Sequence, residues 1–109
     1  MNDEFILYDL RVEVVEIRGK SQTMGLQIGD YFEVVGENLF FPQNKGFSMY
    51  NLAAILPLLP AKQRQTHLND WMTTDAFVNS VDANCGAIFK ITRTNKRVFR
   101  HSETSGEIL

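Results

Sequence analysis

Cysteine is nearly absent from this sequence, and its scarcity excludes two common kinds of small protein. The single thiol, Cys85, cannot pair within the chain, so a fold stapled by internal disulfides is excluded. Zinc sites built from several cysteines are excluded by the same count. The chain starts MNDEF, with two acids where a secretory signal would carry Lys or Arg. We therefore expect a cytoplasmic protein that holds no metal and needs no cofactor.

Long apolar runs are also scarce, and only residues 46–60 (GFSMYNLAAILPLLP) form one that is nearly free of charge. As a helix this run is roughly 20 Å long, too short to cross a bilayer core of about 30 Å, so we expect no membrane segment. Its large apolar side chains recur at helical spacing, at Leu52, Ile55, Leu56 and Leu59. The pattern predicts a central helix with one buried face.

One serine and two prolines indicate where this helix begins and ends. Ser48 can cap the first turn through its side-chain oxygen. Pro57 lacks an N–H and crowds the preceding turn, so the helix should kink or end there, and Pro60 should stop it. The polar residues 61–67 then predict a short surface helix.

Alternating apolar and polar residues indicate strands on both sides of the helix. Strands are predicted at residues 8–18, 31–35, 39–41, 76–78, 87–92 and 97–101. The alternation of the first strand slips at Val14 and Val15, as a β-bulge would cause. The last two strands predict a hairpin with Thr94 and Asn95 as its turn.

This order of elements predicts an α+β fold, and 109 residues is the length of a single domain. Hairpin-linked strands imply a mainly antiparallel sheet, strongly bent around the central helix. The bend predicts either an open sheet or an incomplete barrel. Residues 1–5 and 102–109 have no packing pattern, and we expect them to be flexible.

Four short motifs resemble those of an uncharacterised family of small, cysteine-containing prokaryotic proteins. Members of that family carry G-K-C, then G-H-x-x-G-D, then C-P ahead of a helix and C-P-D ahead of a final hairpin. The present chain reads G-K-S at 19–21, G-L-Q-I-G-D at 25–30, F-P at 41–42 and S-V-D at 80–82. The resemblance covers roughly residues 8–93.

The family's cysteines are replaced here by Ser21, Phe41 and Ser80, and its histidine by Leu26. Serine is too weak a ligand to stand in for a thiolate and phenylalanine has no donor atom, so thiol or metal chemistry does not carry over. The resemblance implies a shared scaffold instead. Its matching positions are Gly29, Asp30, Pro42 and Asp82.

A histidine and an acid form the first candidate site. His67 and Asp70 lie three residues apart and would share a helix face, which is the geometry of an oriented general base. Such pairs are also common on solvated helix ends, and Asp70 could equally cap a helix.

A second group of side chains could line a pocket between helix and sheet. Tyr50 heads the central helix, and Tyr31 and Glu33 point to one side of their strand. With Phe41 and Trp71 they would enclose a ligand if the sheet curls around the helix. Alternatively, both tyrosines are rim residues with their hydroxyls in water. The candidate acid–base residues are His67, Asp70, Tyr50 and Glu33, and the candidate ligand-binding residues are Tyr31, Phe41 and Trp71.

A basic stretch near the end of the chain, residues 93–101, surrounds the aromatic ring of Phe99 and resembles a surface for single-stranded nucleic acid. The net charge of −2 and a pI near 5.6 disfavour that interpretation. We expect a solvated hairpin and no nucleic-acid partner.

Two functions remain open at this point. The first is an accessory or binding module for a partner protein or an apolar small ligand, because aromatic residues are plentiful and catalytic motifs are not. The second is a small cofactor-free enzyme of the lyase, cyclase or isomerase type, which needs only one or two acid–base groups.

We also expect a homodimer, because open sheet edges must be covered and one helix on one sheet buries few large rings. The rings expected at its interface are Phe40, Phe41, Phe47 and Phe99.

Overall fold

The computed structural model describes residues 3–20 and 25–105. Within these residues five strands form one antiparallel sheet in the order β3-β2-β1-β5-β4. The strands are β1 Glu4–Ile17, β2 Tyr31–Val35, β3 Asn38–Phe40, β4 Phe77–Asn79 and β5 Ala87–Arg100. The helices are α1 Met49–Ile55, α2 Leu59–Gln63, α3 Trp71–Thr74 and α4 His101–Thr104. The predicted α+β class is confirmed, and the sheet is open.

The two long strands, β1 and β5, pair along their length, and each carries one bulge. On β1 the extra residue is Val15, because Val14 pairs with Phe89 whereas Glu16 pairs with Ile88. The slip in alternation that predicted a bulge here is confirmed. The bulge lets the strand bend over the helices without leaving the sheet.

The second bulge lies where the sequence predicted a hairpin turn, at Thr94 and Asn95. That prediction is wrong, because β5 runs on unbroken to Arg100. The pairs on either side are Leu10 with Arg93 and Tyr8 with Lys96. Two β5 residues therefore stand opposite Asp9 alone. Polar, turn-forming residues can mark a bulge as well as a turn, since both interrupt the regular ladder.

The central helix begins at Ser48, as predicted, and its Oγ accepts a backbone N–H of the first turn at 3.4 Å. Pro57 lies in a 3₁₀ turn, Leu56–Leu58, after which α2 resumes the helical path. The prediction that Pro60 stops the helix is wrong. It lies in the first turn of α2, where its N–H has no intrahelical partner to lose.

The buried face of this helix is narrower than its leucines suggest. Ile55 and Leu59 are buried, but Leu56 is 44% exposed, so its assignment to the core is wrong. The 3₁₀ turn has three residues per turn instead of 3.6, which rotates the later residues relative to α1. The separate surface helix predicted at 61–67 is also absent, because residues 61–63 complete α2.

The hydrophobic core lies between this helix and one face of the sheet. β1 contributes alternate residues to it, and β2 and β5 add the largest rings. The fully buried large side chains of the sheet are Leu10, Val12, Val14, Phe32 and Phe89. Each such side chain stabilises the fold by about 1.5–3 kcal/mol relative to exposure.

The sheet is five strands wide only in its middle. β2 pairs with residues 10–13 of β1, and β4 pairs with residues 88–90 of β5. Residues 4–8 of β1 and 96–100 of β5 extend beyond these neighbours as a two-stranded antiparallel ribbon. We call this part the ribbon and the rest of the two strands the core half.

The chain ends at the ribbon are more regular than expected. Glu4 and Phe5, predicted to be flexible, belong to β1, and residues 102–104 belong to α4. The remainder of both predicted flexible ends, apart from Asp3 and Ser105, lies outside the described residues.

The far end of the core half is closed by two glycines. The N–H of Arg18 donates to the carbonyl of Gly86 at 2.9 Å, and that of Gly19 donates to the carbonyl of Cys85 at 3.1 Å. A Cβ on Gly19 would stand 2.0 Å from the carbonyl oxygen of Asn84. Only glycine permits this approach of β1 to the turn before β5.

No helix in residues 3–20 or 25–105 is long and apolar enough to cross a membrane.

Candidate functional site

A cleft opens at the end of the core half, between residues 25–31 and residues 42–48. Its first wall is a turn held against β1. The N–H of Val14 donates to the carbonyl of Asp30, and the N–H of Gly29 donates to the carbonyl of Val14, both at 2.8 Å. The Asp30 carboxylate accepts the N–H of Gln27 at 2.9 Å and closes the turn. Gly29 has a φ of 96°, which other residues rarely adopt. The motif G-L-Q-I-G-D thus ends in a turn that hydrogen bonds fix to β1.

The opposite wall is the loop that leads into α1. The N–H of Lys45 donates to the carbonyl of Pro42 at 3.1 Å, and Asn44 has a left-handed φ of 61°. Phe47 anchors this loop in the core, where its ring lies 4.9 Å edge-on from Phe32 and 5.7 Å from Phe89. Both walls are therefore fixed to the sheet.

The cleft has an apolar part and a charged part. Its apolar part, about 220 Å³ in volume, is lined by Ile28, Tyr31 and Pro42, with Lys45 and Asp30 beside them. A wider space of about 420 Å³ continues towards the beginning of α1. A site of this size and mixed lining suits a ligand of one or two rings with a polar end.

Tyr31 is held in place from the side of the sheet. The guanidinium of Arg11 lies 3.7 Å from the centre of its ring. Arg11 is itself bound by Glu13, whose carboxylate accepts its Nε–H at 2.9 Å and raises the pKa of the guanidinium. The cation–π contact leaves Tyr31 few other positions, so this ring enters the cleft already ordered.

A buried amide lies one helical turn beyond Ser48. Asn51 is 1% exposed, and its Oδ1 accepts the hydroxyl of Ser80 at 2.9 Å and the N–H of Val81 at 3.2 Å. A backbone N–H can only donate, so the amide orientation is fixed. The Asn51 Nδ2 atom has no acceptor among the described residues.

Of the seven predicted site residues, three lie around the cleft or next to it, and a fourth, Tyr50, lies outside its lining. Tyr31 lines it, and Phe41 packs on Phe32 with ring centres 5.3 Å apart. Glu33 lies two residues beyond Tyr31 on β2, where it pairs with Arg11. Tyr50 is exposed at the start of α1.

The other three predicted site residues lie around α3, and no contact in the described part of the chain joins them to the cleft. His67 Nδ1 accepts the N–H of Asn69 at 3.0 Å. Asp70 caps α3 by accepting the N–H of Met72 at 2.8 Å, and Trp71 is exposed. The imidazole and the carboxylate therefore bind separate backbone groups rather than each other.

A buried lysine is a feature that the sequence analysis missed. Lys62 is 5% exposed, and its Nζ donates to the carbonyl of Met72 at 3.0 Å and to the carbonyl of Asp75. Burial lowers the pKa of this amine, and the charge of Arg93 lowers it further. Helical spacing could have found it, because the buried positions Ile55 and Leu59 continue to residue 62.

A buried carboxylate at the base of the ribbon was missed as well. Asp9 is 3% exposed and accepts the Nε–H of Arg97 at 2.7 Å and the N–H of Gly36 at 2.9 Å. Burial acts to raise the pKa of Asp9, but these hydrogen bonds outweigh it and hold the pKa below its usual value. Gln63 completes the junction by donating to the carbonyls of Tyr8 at 3.2 Å and of Gly36 at 2.7 Å.

Comparison with protein-family models, with curated proteins and with solved structures finds no match to this chain. In residues 3–20 and 25–105 no three His, Cys, Asp or Glu side chains are grouped so as to hold a metal ion. Of the positions where the resembled family carries cysteine, Ser80 binds Asn51, Phe41 packs on Phe32, and Ser21 lies outside the described residues.

Proposed function

We propose that this chain is a non-catalytic binding module, and that its ligand is a small apolar ring compound with one anionic group. The observation that carries the proposal is the cleft, in which Ile28, Tyr31 and Pro42 form an apolar wall and Lys45 provides a charge. The ring of Tyr31 is already ordered by Arg11, so little conformational entropy is lost on binding.

The electrostatics of the cleft favour a single negative charge on the ligand. Asp30 and Lys45 both line the two parts of the cleft, but the Asp30 carboxylate already accepts the N–H of Gln27, which leaves the Lys45 ammonium to meet the charge of a ligand. An apolar ring against Tyr31 would place a carboxylate within reach of the Lys45 ammonium. Such contacts in a partly open cleft support weak binding, in the range of about 0.1–1 mM, for a ligand of one ring.

Benzoate and benzyl alcohol are suitable probes, because they share the ring and differ in charge. We expect benzoate to shift the amide resonances of residues 25–31 and 45–46 in a ¹H–¹⁵N spectrum, and benzyl alcohol to shift them less. Tyr31→Ala should abolish the shifts. Tyr50→Ala is the matched control, since Tyr50 is exposed outside the lining of the cleft. Equal responses in the two variants, or no shifts at millimolar benzoate, would refute the proposal.

We further propose that the module is a homodimer. Both long strands extend beyond their neighbours in the ribbon, which leaves sheet edges that a second copy can cover. Of the rings expected at the interface, Phe40 is exposed and Phe99 stacks on Phe5 at 5.5 Å. Phe41 and Phe47 pack instead on Phe32 beside the cleft. Sedimentation equilibrium should give twice the 12.5 kDa of the chain; a single species at the chain mass would refute this.

A cofactor-free enzyme is the second candidate, and Lys62 is the observation that favours it. Its amine has a lowered pKa and lines a cleft of about 200 Å³ together with Lys90 and Arg93. Such an amine can attack a carbonyl carbon, form an imine and release water. Borohydride reduction in the presence of pyruvate should then leave a reduced adduct on Lys62, seen by mass spectrometry as added mass on the native chain. The Lys62→Met chain should gain no such mass. An unmodified Lys62 would leave the amine with its structural role of binding two carbonyls.

A further inference from the structure

In the ribbon, the hydrogen bonds show which residues of β1 direct their backbone N–H and C=O towards β5 and which direct them away from it. The carbonyl of Asp3 accepts the N–H of His101, so residue 3 faces β5, whereas the carbonyl of Tyr8 accepts Gln63 on the other side. In a strand the N–H and C=O of one residue point the same way and alternate from residue to residue. The backbone of Ile6 therefore points away from β5. No described residue is hydrogen-bonded to it on that side.

The two outer edges of the ribbon differ in charge. The outer edge of β5 carries Lys96, Arg97 and Arg100 within five residues, of which Arg97 and Arg100 are paired with Asp9 and Glu4 of β1. Cations along an edge oppose pairing with an identical edge, and native proteins use them for this purpose. The outer edge of β1 carries no charged side chain from Phe5 to Tyr8. Only the β1 edge is chemically suited to pair with itself.

We infer that the β1 edge of the ribbon is the dimer surface, and that it pairs antiparallel with the β1 edge of a second copy about a two-fold axis at Ile6. This rests on the proposed homodimer and specifies its interface. At the axis the two copies of Ile6 exchange both backbone hydrogen bonds, as a hydrogen-bonded antiparallel pair does. Phe5 of each copy then stands opposite Leu7 of the other, and the pairing ends there, because Gln63 occupies the outer side of Tyr8.

Side chains on the helix side of the ribbon support this register. Val98 pairs with Ile6 within one copy, so the dimer contains a continuous row of Val98, Ile6, Ile6 and Val98. In the monomer Val98 is 62% exposed. Glu4, at the outer end of the ribbon, lies 3.5 Å from Arg100 of its own copy, so its charge is paired within one copy. Between Phe5 and Leu7 no like charges face each other across the axis.

The first test uses proline at two positions that lie directly opposite each other in the ribbon. Ile6→Pro removes an N–H from the outer edge of β1 and leaves the β1–β5 ladder intact. Val98→Pro is the matched control, because the N–H of Val98 points to the outer edge of β5. We expect sedimentation equilibrium to show dimer association weakened about ten- to a hundredfold by Ile6→Pro and unchanged by Val98→Pro.

The second test uses charge at the axis. Ile6→Lys and Ile6→Glu should each be monomeric, because like charges would face each other at the two-fold axis. An equimolar mixture of the two should restore a dimer. Val98→Lys mixed with Val98→Glu provides the control, in which each variant remains dimeric alone.

The outcomes distinguish an error in the proposed interface from an error in the proposed homodimer. A native chain that sediments as a monomer overturns both the homodimer and this surface. A native dimer that survives Ile6→Pro, or a Lys–Glu mixture that fails to associate, overturns the surface and leaves the homodimer standing. Circular dichroism of every variant checks that the fold is retained, so a loss of association is not mistaken for unfolding.

Discussion

The core half and the ribbon are made from the same two strands, yet their side chains lie in different environments. In the core half, alternate side chains of β1 are fully buried by α1 and α2, and β2 and β4 cover both strand edges. In the ribbon both edges extend past those neighbours; Leu7 is still buried there, but a valine as apolar as Val12 remains 62% exposed at Val98. Burial is therefore decided by what packs against a strand and not by the strand's own pattern.

The largest difference should appear between two phenylalanines of β5. Phe89→Ala should cost about 3–5 kcal/mol of unfolding free energy, because a fully buried ring is replaced by a cavity. Phe99→Ala should cost no more than about 2 kcal/mol, because its ring is only partly buried and chiefly loses the stack on Phe5. Urea denaturation of both variants measures this, and equal costs would show that the ribbon belongs to the core.

The distinction between a strand's own pattern and what pairs with it also explains what could be predicted from the sequence. Alternation indicated β1 and β2, and the slip at Val15 indicated a bulge, because these signals depend on neighbouring residues along one strand. Thr94 and Asn95 carry an equally local signal, but whether a chain bends or reverses there depends on the partner strand. β1 is long enough to pair with all of β5, so the chain bends and continues.

The candidate sites show the same limit. Tyr31 was predicted to bind a ligand and lines the cleft, but the acidic and basic groups buried in the protein were not predicted. Asp9 and Lys62 are buried because a carbonyl or a guanidinium from a distant segment happens to satisfy them. His67 and Asp70 illustrate the converse, since three-residue spacing places them in one turn without bringing their side chains together.

The junction between the two halves should be sensitive to substitution and to pH. Asp9→Asn should cost about 1–3 kcal/mol, because it weakens the bonds to Arg97 and to the N–H of Gly36 inside the protein. The folded-state pKa of Asp9 lies below its usual 3.8, so its stabilisation is present above that value and is lost as the pH falls through the folded pKa.

Urea denaturation between pH 7 and pH 2.5 tests whether stability falls with pH in this direction. The native chain should lose stability below about pH 4 more steeply than Asp9→Asn does. Parallel pH profiles for the two chains would show that Asp9 contributes nothing through its charge.

The closed end of the core half should be intolerant of a single methyl group. Gly19→Ala should cost about 1–3 kcal/mol, because the new Cβ would meet the Asn84 carbonyl at 2.0 Å and force the turn away from β1. Gly46→Ala is the matched control, since a Cβ there meets no atom within 4 Å. Thermal denaturation of the pair measures the difference, and a Gly19→Ala chain as stable as the control would contradict this closure.

The smallest effect should come from the ribbon's own valine. Val98→Ala should change the unfolding free energy by less than about 0.5 kcal/mol at low protein concentration, because its side chain is mostly in water. Val12→Ala, the comparison in the core half, should cost about 2 kcal/mol for the buried carbons it removes. If the ribbon pairs through Ile6, Val98 lies one strand away from the partner copy, so the cost of its substitution should not change with protein concentration. A cost for Val98→Ala that is already large in dilute monomer would mean that the ribbon is packed by its own chain, and the contrast between the two halves would fail.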